Sequence, residues 1–339
     1  MARTTNDGSM LVQEVLAGNR RALARLITRV ENRTPDAQAA LAALYPHTGR
    51  AYLVGVTGAP GTGKSTLVNA LARTLRQRHQ TIGIVAVDPT SPFSGGAVLG
   101  DRIRMIDLAG DPGVFIRSMA NRGSLGGLAA TTGDVARVMD AAGFDVVLIE
   151  TVGAGQSEVD IARTAYTTIV VDAPGLGDDV QAIKAGILEI ADILVVNKAD
   201  RPGVESTVRA LKTMLELGHR FRTISHHGQL MIQGDAPVEP EYDFWQVPIL
   251  KTVATAHEGI EALADAIDRH HAYLRESGIL AERERLRVES ELIERLREAL
   301  FDRLIAAQSP AALDDVIRRL VAREIDPGGA VRELLGRGP

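Results

Sequence analysis

The chain has 339 residues, with 38 Lys and Arg against 43 Asp and Glu, a net charge of −5, 33 glycines, one tryptophan and no cysteine. That length is ample for a full hydrophobic core, and the missing cysteine excludes disulfides, thiolate zinc sites, iron–sulfur clusters and a cysteine nucleophile. There is no basic excess to serve a nucleic-acid partner, and no run of about 18 apolar residues that would cross a membrane. A polar N-terminus without an apolar leader-like stretch predicts a cytoplasmic protein.

Residues 1–48 read as a helical extension. Leu11, Val15, Leu23, Leu26 and Ile27 recur at helical spacing, and Thr34-Pro35-Asp36 opens a helix that runs through Leu44. Across 49–276 short β-rich runs alternate with helices. The runs are Tyr52–Thr57, Thr81–Val87, Val114–Arg117, Asp145–Ile149, Thr167–Val171, Asp192–Val196 and Val247–Thr252. Helical stretches between them include Ser65–Gln77, Asp134–Ala142, Gln181–Leu188 and Glu205–Leu217. This alternation predicts an α/β fold with a mainly parallel central sheet covered by helices on both faces. Residues 277–339 turn helical again, with one long charged helix over 278–307 and another beginning at Pro310. In the long helix Leu286, Ile293, Leu296, Leu300 and Leu304 share one narrow face, which suits packing on the same chain as well as a dimer arm.

Gly58-Ala59-Pro60-Gly61-Thr62-Gly63-Lys64-Ser65 matches G-x-x-x-x-G-K-[ST] in full, and Thr66 continues it into a helix. An apolar strand precedes it and an amphipathic helix follows, which is the context a phosphate-binding loop requires. Its backbone N–H groups and the helix N-terminus wrap phosphate oxygens. Lys64 is expected to reach the β- and γ-phosphates, and the Ser65 hydroxyl to bind Mg²⁺.

The strand Ile193–Val196 ends in Asn197-Lys198-Ala199-Asp200, an N-K-x-D string. A carboxylate there accepts from guanine N1–H and its 2-amino group, whereas adenine would leave it unpaired. GTP and GDP are therefore the expected nucleotides, with Val253 and Ala254 as backbone contacts to the base. Mg²⁺ takes oxygen ligands, often one or two carboxylates. Three acids end or follow strands near the phosphates: Asp88, Asp101 and Glu150. Glu150 and Gly153 keep the spacing of a D-x-x-G element, so the Gly153 N–H is placed to sense the γ-phosphate. The next residue is Ala154, where many small GTPases carry a water-orienting Gln, and Gln156 follows two positions later. Arg102, Arg104 and Arg122 are candidate transition-state arginines, though surface ion pairing is the commoner fate of Arg.

Together GAPGTGKST, VDPTSPFSGGAVLGDRIRM, FIRSMANRGSLGGL, IETVGAGQSE and VVNKAD resemble the MeaB/ArgK/MMAA family of metallochaperone-type P-loop GTPases, over about residues 10–335. The resemblance implies a homodimer with slow intrinsic GTP hydrolysis, accelerated by an adenosylcobalamin-dependent acyl-CoA mutase such as methylmalonyl-CoA mutase. It further implies that GTP gates cofactor loading into the mutase and protects it. Switch segments are implied around Asp88–Asp101, Thr151–Ala165 and Gly175–Ile187, with Asp178, Asp179, Gln181 and Lys184 coupling partner to nucleotide. The dimer reading of residues 277–339 rests on the same resemblance.

A rival reading is a metal-insertion GTPase of the nickel-delivery type, which relies on Cys and His clusters. Here cysteine is absent, and His226-His227 and His270-His271 are the adjacent histidine pairs. The first pair falls in a predicted loop. The second reads as a solvated helix face, because helical neighbours do not address one site. Tyr242-Asp243-Phe244-Trp245 reads as loop packing. A vestigial nucleotide site is a third possibility, against which the intact Lys64, Ser65 and Asp200 argue.

Overall fold

A computed structural model describes residues 2–89, 105–108, 110–121, 127–151, 157–175, 189–218, 221–226, 229–234 and 244–336. The chain opens with α1 (Ala2–Leu16), α2 (Arg20–Glu31) and α3 (Pro35–Leu44). It continues through β1 (Tyr52–Thr57), α4 (Lys64–Gln77), β2 (Ile82–Pro89), β3 (Val114–Asn121) and α5 (Gly127–Ala141). Next come β4 (Val146–Thr151), α6 (Ser157–Thr164), β5 (Thr167–Asp172), β6 (Ile193–Val196) and α7 (Val204–Gly218). A hairpin of β7 (Phe221–His226) and β8 (Gln229–Gly234) precedes β9 (Ile249–Lys251). The helices α8 (Ile260–Glu276), α9 (Ile279–Ala307), α10 (Pro310–Val321) and α11 (Pro327–Gly336) complete the order.

Among the described residues the central sheet has seven strands in the order β3-β2-β4-β1-β5-β6-β9. Every pairing in it is parallel, as expected for strands joined by helices. Alternate side chains divide the core between the two faces. Val54 and Val56 of β1, Leu148 of β4 and Val195 of β6 pack against Leu67 and Leu71 of α4 and Leu263 and Ile267 of α8. On the other face Leu53, Val85, Val147 and Ile149 meet α5 and α6, with the helices of the N-terminal extension in the same cluster. Farther along that face Val170, Leu194 and Val196 meet Val208 and Leu211 of α7. Strands and helices buried on both sides explain the nearly unbroken apolar runs.

One buried carboxylate fixes how the chain enters β1, and an exposed arginine ties the N-terminal helices to the sheet. The Asp140 carboxylate accepts from the N–H groups of Gly49, Arg50 and Ala51 at 2.5, 3.1 and 2.9 Å. Arg20 of α2 donates to the carbonyls of Pro112 and Val114 at 2.8 and 2.6 Å, tying the extension to the strand β3 edge.

The chain divides into two compact units, residues 1–284 and 285–339. The first holds the sheet and its helices. In the second, Val316 and Ala330 are the buried hydrophobic residues among those described, while Leu292, Leu296, Leu300 and Phe301 of α9 are 64, 55, 56 and 62% exposed. Among the described residues no helix is long and apolar enough to cross a membrane.

Two expectations change. His226 ends strand β7 rather than lying in a loop, since Phe221–His226 pairs antiparallel with Gln229–Gly234; His227 lies outside the described residues. His270 is not on a solvated face. It has no exposure at all, because α8 turns Ile260, Leu263, Ile267 and His270 together onto the sheet. Adjacent helical residues diverge by about 100°, so His271 sits at the margin while His270 goes inside. The expected helix Gln181–Leu188 lies outside the described residues.

Candidate nucleotide site

The phosphate loop joins β1 to α4 where the chain's strand order changes direction, between the carboxyl ends of β4 and β5. Open α/β sheets form their ligand crevice at this place. Two glycines are demanded by geometry there. Gly58 has φ +136°, and a Cβ on it would fall on the Val171 carbonyl oxygen. Gly63 has φ +90°, and a Cβ would approach Asn197 Nδ2 to 2.6 Å. Both conformations suit glycine and few other residues.

Lys64 and Ser65 form the first turn of α4 and are both buried. Lys64 Nζ donates to the carbonyls of Gly58 and Ala59 at 2.8 and 3.0 Å, so the ammonium lies inside the loop that cradles phosphate. Ser65 Oγ donates to Glu150 Oε1 at 2.6 Å. Glu150 is buried on β4 in register with Val56 of β1, which brings it to the loop across one strand spacing. A hydroxyl and a carboxylate in contact form an oxygen-only donor pair, and this fits a hard cation such as Mg²⁺. Ser65 and Glu150 would hold it. Among the described residues there is no cluster of three or more His, Asp or Glu that could hold another metal ion.

The guanine-side residues are knitted into the same loop. Asn197 Nδ2 donates to the Thr62 carbonyl at 2.9 Å, and its Oδ1 accepts from Thr252 Oγ1 at 3.1 Å and from the Ala254 N–H at 3.2 Å. Lys198 takes φ +57° and donates from Nζ to the Gly61 carbonyl at 2.5 Å. The Ala199 N–H reaches the Thr252 carbonyl at 3.0 Å, and Asp200 follows with its side chain exposed. Of the two expected base contacts, the Val253 N–H is engaged by the Glu258 carbonyl at 3.0 Å and the Ala254 N–H by Asn197. Thr62 is wholly buried, its hydroxyl closing the loop onto the Ala59 carbonyl at 3.0 Å; Pro60 and Gly61 form the loop's outer turn.

The structure thus brings Gly58 through Thr66, Glu150, Asn197, Lys198, Asp200, Val253 and Ala254 to one edge of the sheet. For Asp88 the description covers only its backbone, which pairs with Ala120 at the end of β2. Asp101, Gly153, Gln156, Asp178, Asp179, Gln181 and Lys184 lie outside the described residues, as do Ala154, Arg102, Arg104 and Arg122.

One acid at this edge escaped the sequence reading. Asp172 ends β5 and is buried; its Oδ1 accepts from the Ala173 N–H at 2.8 Å, while Oδ2 is buried without a hydrogen-bond partner among the described residues. Burial pushes its carboxyl above the ordinary range, against the opposing Ala173 bond. Its position directly after an apolar strand is the same signal that singled out Asp88 and Glu150.

A parallel sheet with a phosphate loop after β1, a Ser–Glu pair beneath it and an N-K-x-D segment bound to its side define a P-loop GTPase. The family model described as methylmalonyl Co-A mutase-associated GTPase MeaB matches residues 23–309. A putative GTPase of Pyrococcus abyssi is 45% identical over 333 residues, covering 97% of each chain. The GTPase ArgK of Escherichia coli is 37% identical over 273 residues, covering 79% of this chain and 77% of ArgK. Among solved structures, a LAO/AO transport system kinase superposes with a TM-score of 0.68 at 27% identity, covering 97% of this chain and 96% of that one. The chain belongs to the MeaB family and is a GTP-hydrolysing enzyme.

Proposed function

We propose that this GTPase is a chaperone of an adenosylcobalamin-dependent acyl-CoA mutase, methylmalonyl-CoA mutase being the first choice, and that it gates cofactor loading into that mutase and protects it. The observation that carries the reading is the match of 23–309 to a family defined by association with methylmalonyl-CoA mutase. The geometry supports the nucleotide half. Lys64 exchanges the Gly58 and Ala59 carbonyls for β- and γ-phosphate oxygens, leaving backbone N–H groups to complete the cradle. Mg²⁺, when bound, neutralises charge developing on the phosphate oxygens. Ser65 and Glu150 hold it, with Asp88 and Asp101 as the further candidate ligands. Asp200 reads guanine, and Val253 or Ala254 contacts the base once its N–H is released from its present acceptor.

Gly153 and Gln156 are assigned to γ-phosphate sensing and water positioning, and Asp178, Asp179, Gln181 and Lys184 to coupling with the partner. On this reading residues 1–48 are the helical extension, 49–276 the GTPase domain and 277–339 the helical region of a homodimer. Exposed leucines on α9, in a second unit whose buried hydrophobic residues among those described are Val316 and Ala330, support the dimer. The test is the GTPase rate with and without purified methylmalonyl-CoA mutase, alongside a pull-down of the pair. The reading expects a complex and a faster rate. No complex and an unchanged rate would reject it.

A further inference from the structure

Opposite the nucleotide, at the amino-terminal edge of the sheet, lies a polar cluster that GTP binding does not use. At its centre is Asp192, buried just before β6. Its Oδ2 accepts from the Thr168 N–H at 2.8 Å, and the Arg283 guanidinium forks onto both oxygens at 2.8 and 3.2 Å. His270 Nε2 stands 3.3 Å from Oδ1, within ion-pair range, while Nδ1 is 2.8 Å from Thr167 Oγ1, which in turn meets the Tyr52 hydroxyl at 2.6 Å. Burial alone would raise the Asp192 carboxyl, but His270 and Arg283 outweigh it and hold it below the ordinary range. Arg283 also donates to the Tyr166 carbonyl at 2.7 Å, and the Tyr166 hydroxyl donates to Glu284 at 2.8 Å. Asp192, His270 and Thr167 stand in the order of a hydrolase relay. Thr167 and His270 have no exposure, however, so no substrate reaches the hydroxyl.

Tyr52, Thr167, Asp192 and His270 each lie on, or directly before, an element whose other end borders the nucleotide site. Tyr52 begins β1, which leads into the phosphate loop; Thr167 begins β5, whose Val171 abuts Gly58; Asp192 leads into β6, which Asn197 directly follows. His270 lies on α8, which starts directly after the loop holding Val253 and Ala254. From Ile260 to His270 that helix is a rod of about 15 Å. Arg283 and Glu284 belong to the first turns of α9, the helix that continues into the second unit. We infer that Asp192 is a latch holding the root of α9, and that the nucleotide state and this latch are coupled through α8 and the strands β1, β5 and β6. Coupling between two sites is reciprocal. If GTP and GDP place α8 differently, His270 and Arg283 meet Asp192 differently, and weakening the latch must change the relative affinity for the two nucleotides.

The protein carries its own reporter. Trp245 is the sole tryptophan, and its Nε1–H donates to the Asp192 carbonyl at 2.7 Å beside the His270 ring at 4.7 Å. Full-length protein saturated with GDP or with a non-hydrolysable GTP analogue should differ in Trp245 emission. Arg283→Met should abolish most of that difference and shift the ratio of the two nucleotide affinities about fivefold or more, the lower range of allosteric couplings. Identical emission in the two nucleotide states overturns the inference, and this measurement needs no variant. A brace without coupling would lower the melting temperature of Arg283→Met yet keep the emission difference and the affinity ratio, and that also overturns it. If Arg283→Met does not fold, Arg283→Lys, which keeps the charge but loses the fork, is judged by the same two readouts.

Discussion

Asp172 at the last position of β5 and Asp200 just beyond β6 are both acids at the carboxyl ends of parallel strands, yet their surroundings assign them different work. Asp200 is exposed next to a segment bonded to the phosphate loop, so a base can reach it. Asp200→Asn presents a donor where guanine also presents donors. GTP should bind about 10- to 100-fold more weakly, the equivalent of about 1–3 kcal/mol for mismatched polar groups, and xanthosine triphosphate should become the preferred ligand. Competition binding with the two nucleotides checks this; unchanged guanine preference would remove Asp200 from the site. Asp172 is buried, and its carboxyl lies above the ordinary value of 3.8. The folded state therefore holds its proton more tightly than the unfolded chain. The resulting penalty is absent below that value, grows as pH rises to the folded pKa, and is constant above. Asp172→Asn should accordingly raise the melting temperature at neutral pH, with the gain shrinking as pH falls toward 4, about the ordinary carboxylate pKa. Thermal melts of both proteins across that range measure it. A gain independent of pH would mean that the carboxyl is not the cause. The motif residues were legible because phosphate and guanine chemistry dictate local strings of fixed spacing. Asp172 carried the same strand-end signal but belongs to no such string.

At the level of elements, Asn197 is the rivet of the site. It joins the phosphate loop at Thr62 to the loop at Thr252 and Ala254, and both of its polar atoms are engaged in buried bonds. Asn197→Ala strands those partners at about 1–3 kcal/mol for each buried group left unsatisfied. It should lower stability in urea and weaken GDP and GTP together, since both share the loop. Weakening of one nucleotide alone would contradict this role. The sheet strands and most helices could be anticipated because apolar periodicity reports burial on a two-faced sheet. The β7–β8 hairpin could not, since Phe221–His226 mixes Arg, Thr, Ser and His into a short two-stranded ribbon outside the main sheet. His270 was misplaced for a related reason. Its partners Thr167 and Asp192 are 103 and 78 positions away in sequence, and spacing along one helix says nothing about them.

For the whole molecule, the latch residues decide where the chain can be cut. The first unit ends at Glu284, after Arg283 and Glu284 have made their bonds to Asp192 and Tyr166. A truncation at 277 would discard both and leave the buried Asp192 carboxylate without the part-exposed guanidinium that forks onto it, a loss of about 1–3 kcal/mol once solvent screening of the arginine is allowed for. Such a product would confuse loss of assembly with loss of folding. Ending the chain at 284 keeps the latch and removes the exposed leucines, and Leu296→Glu with Leu300→Glu tests the same face in the full chain. If α9 is the dimer arm, both variants should sediment as monomers, bind GTP as the parent does and melt as cooperative units. The charged residues act by placing unpaired carboxylates in an interface that would otherwise bury leucine. A full-length double variant that still sediments as a dimer would mean that another surface joins the copies. A parent that is itself monomeric would leave the exposed face of α9 to a different partner and remove the dimer from the proposed function.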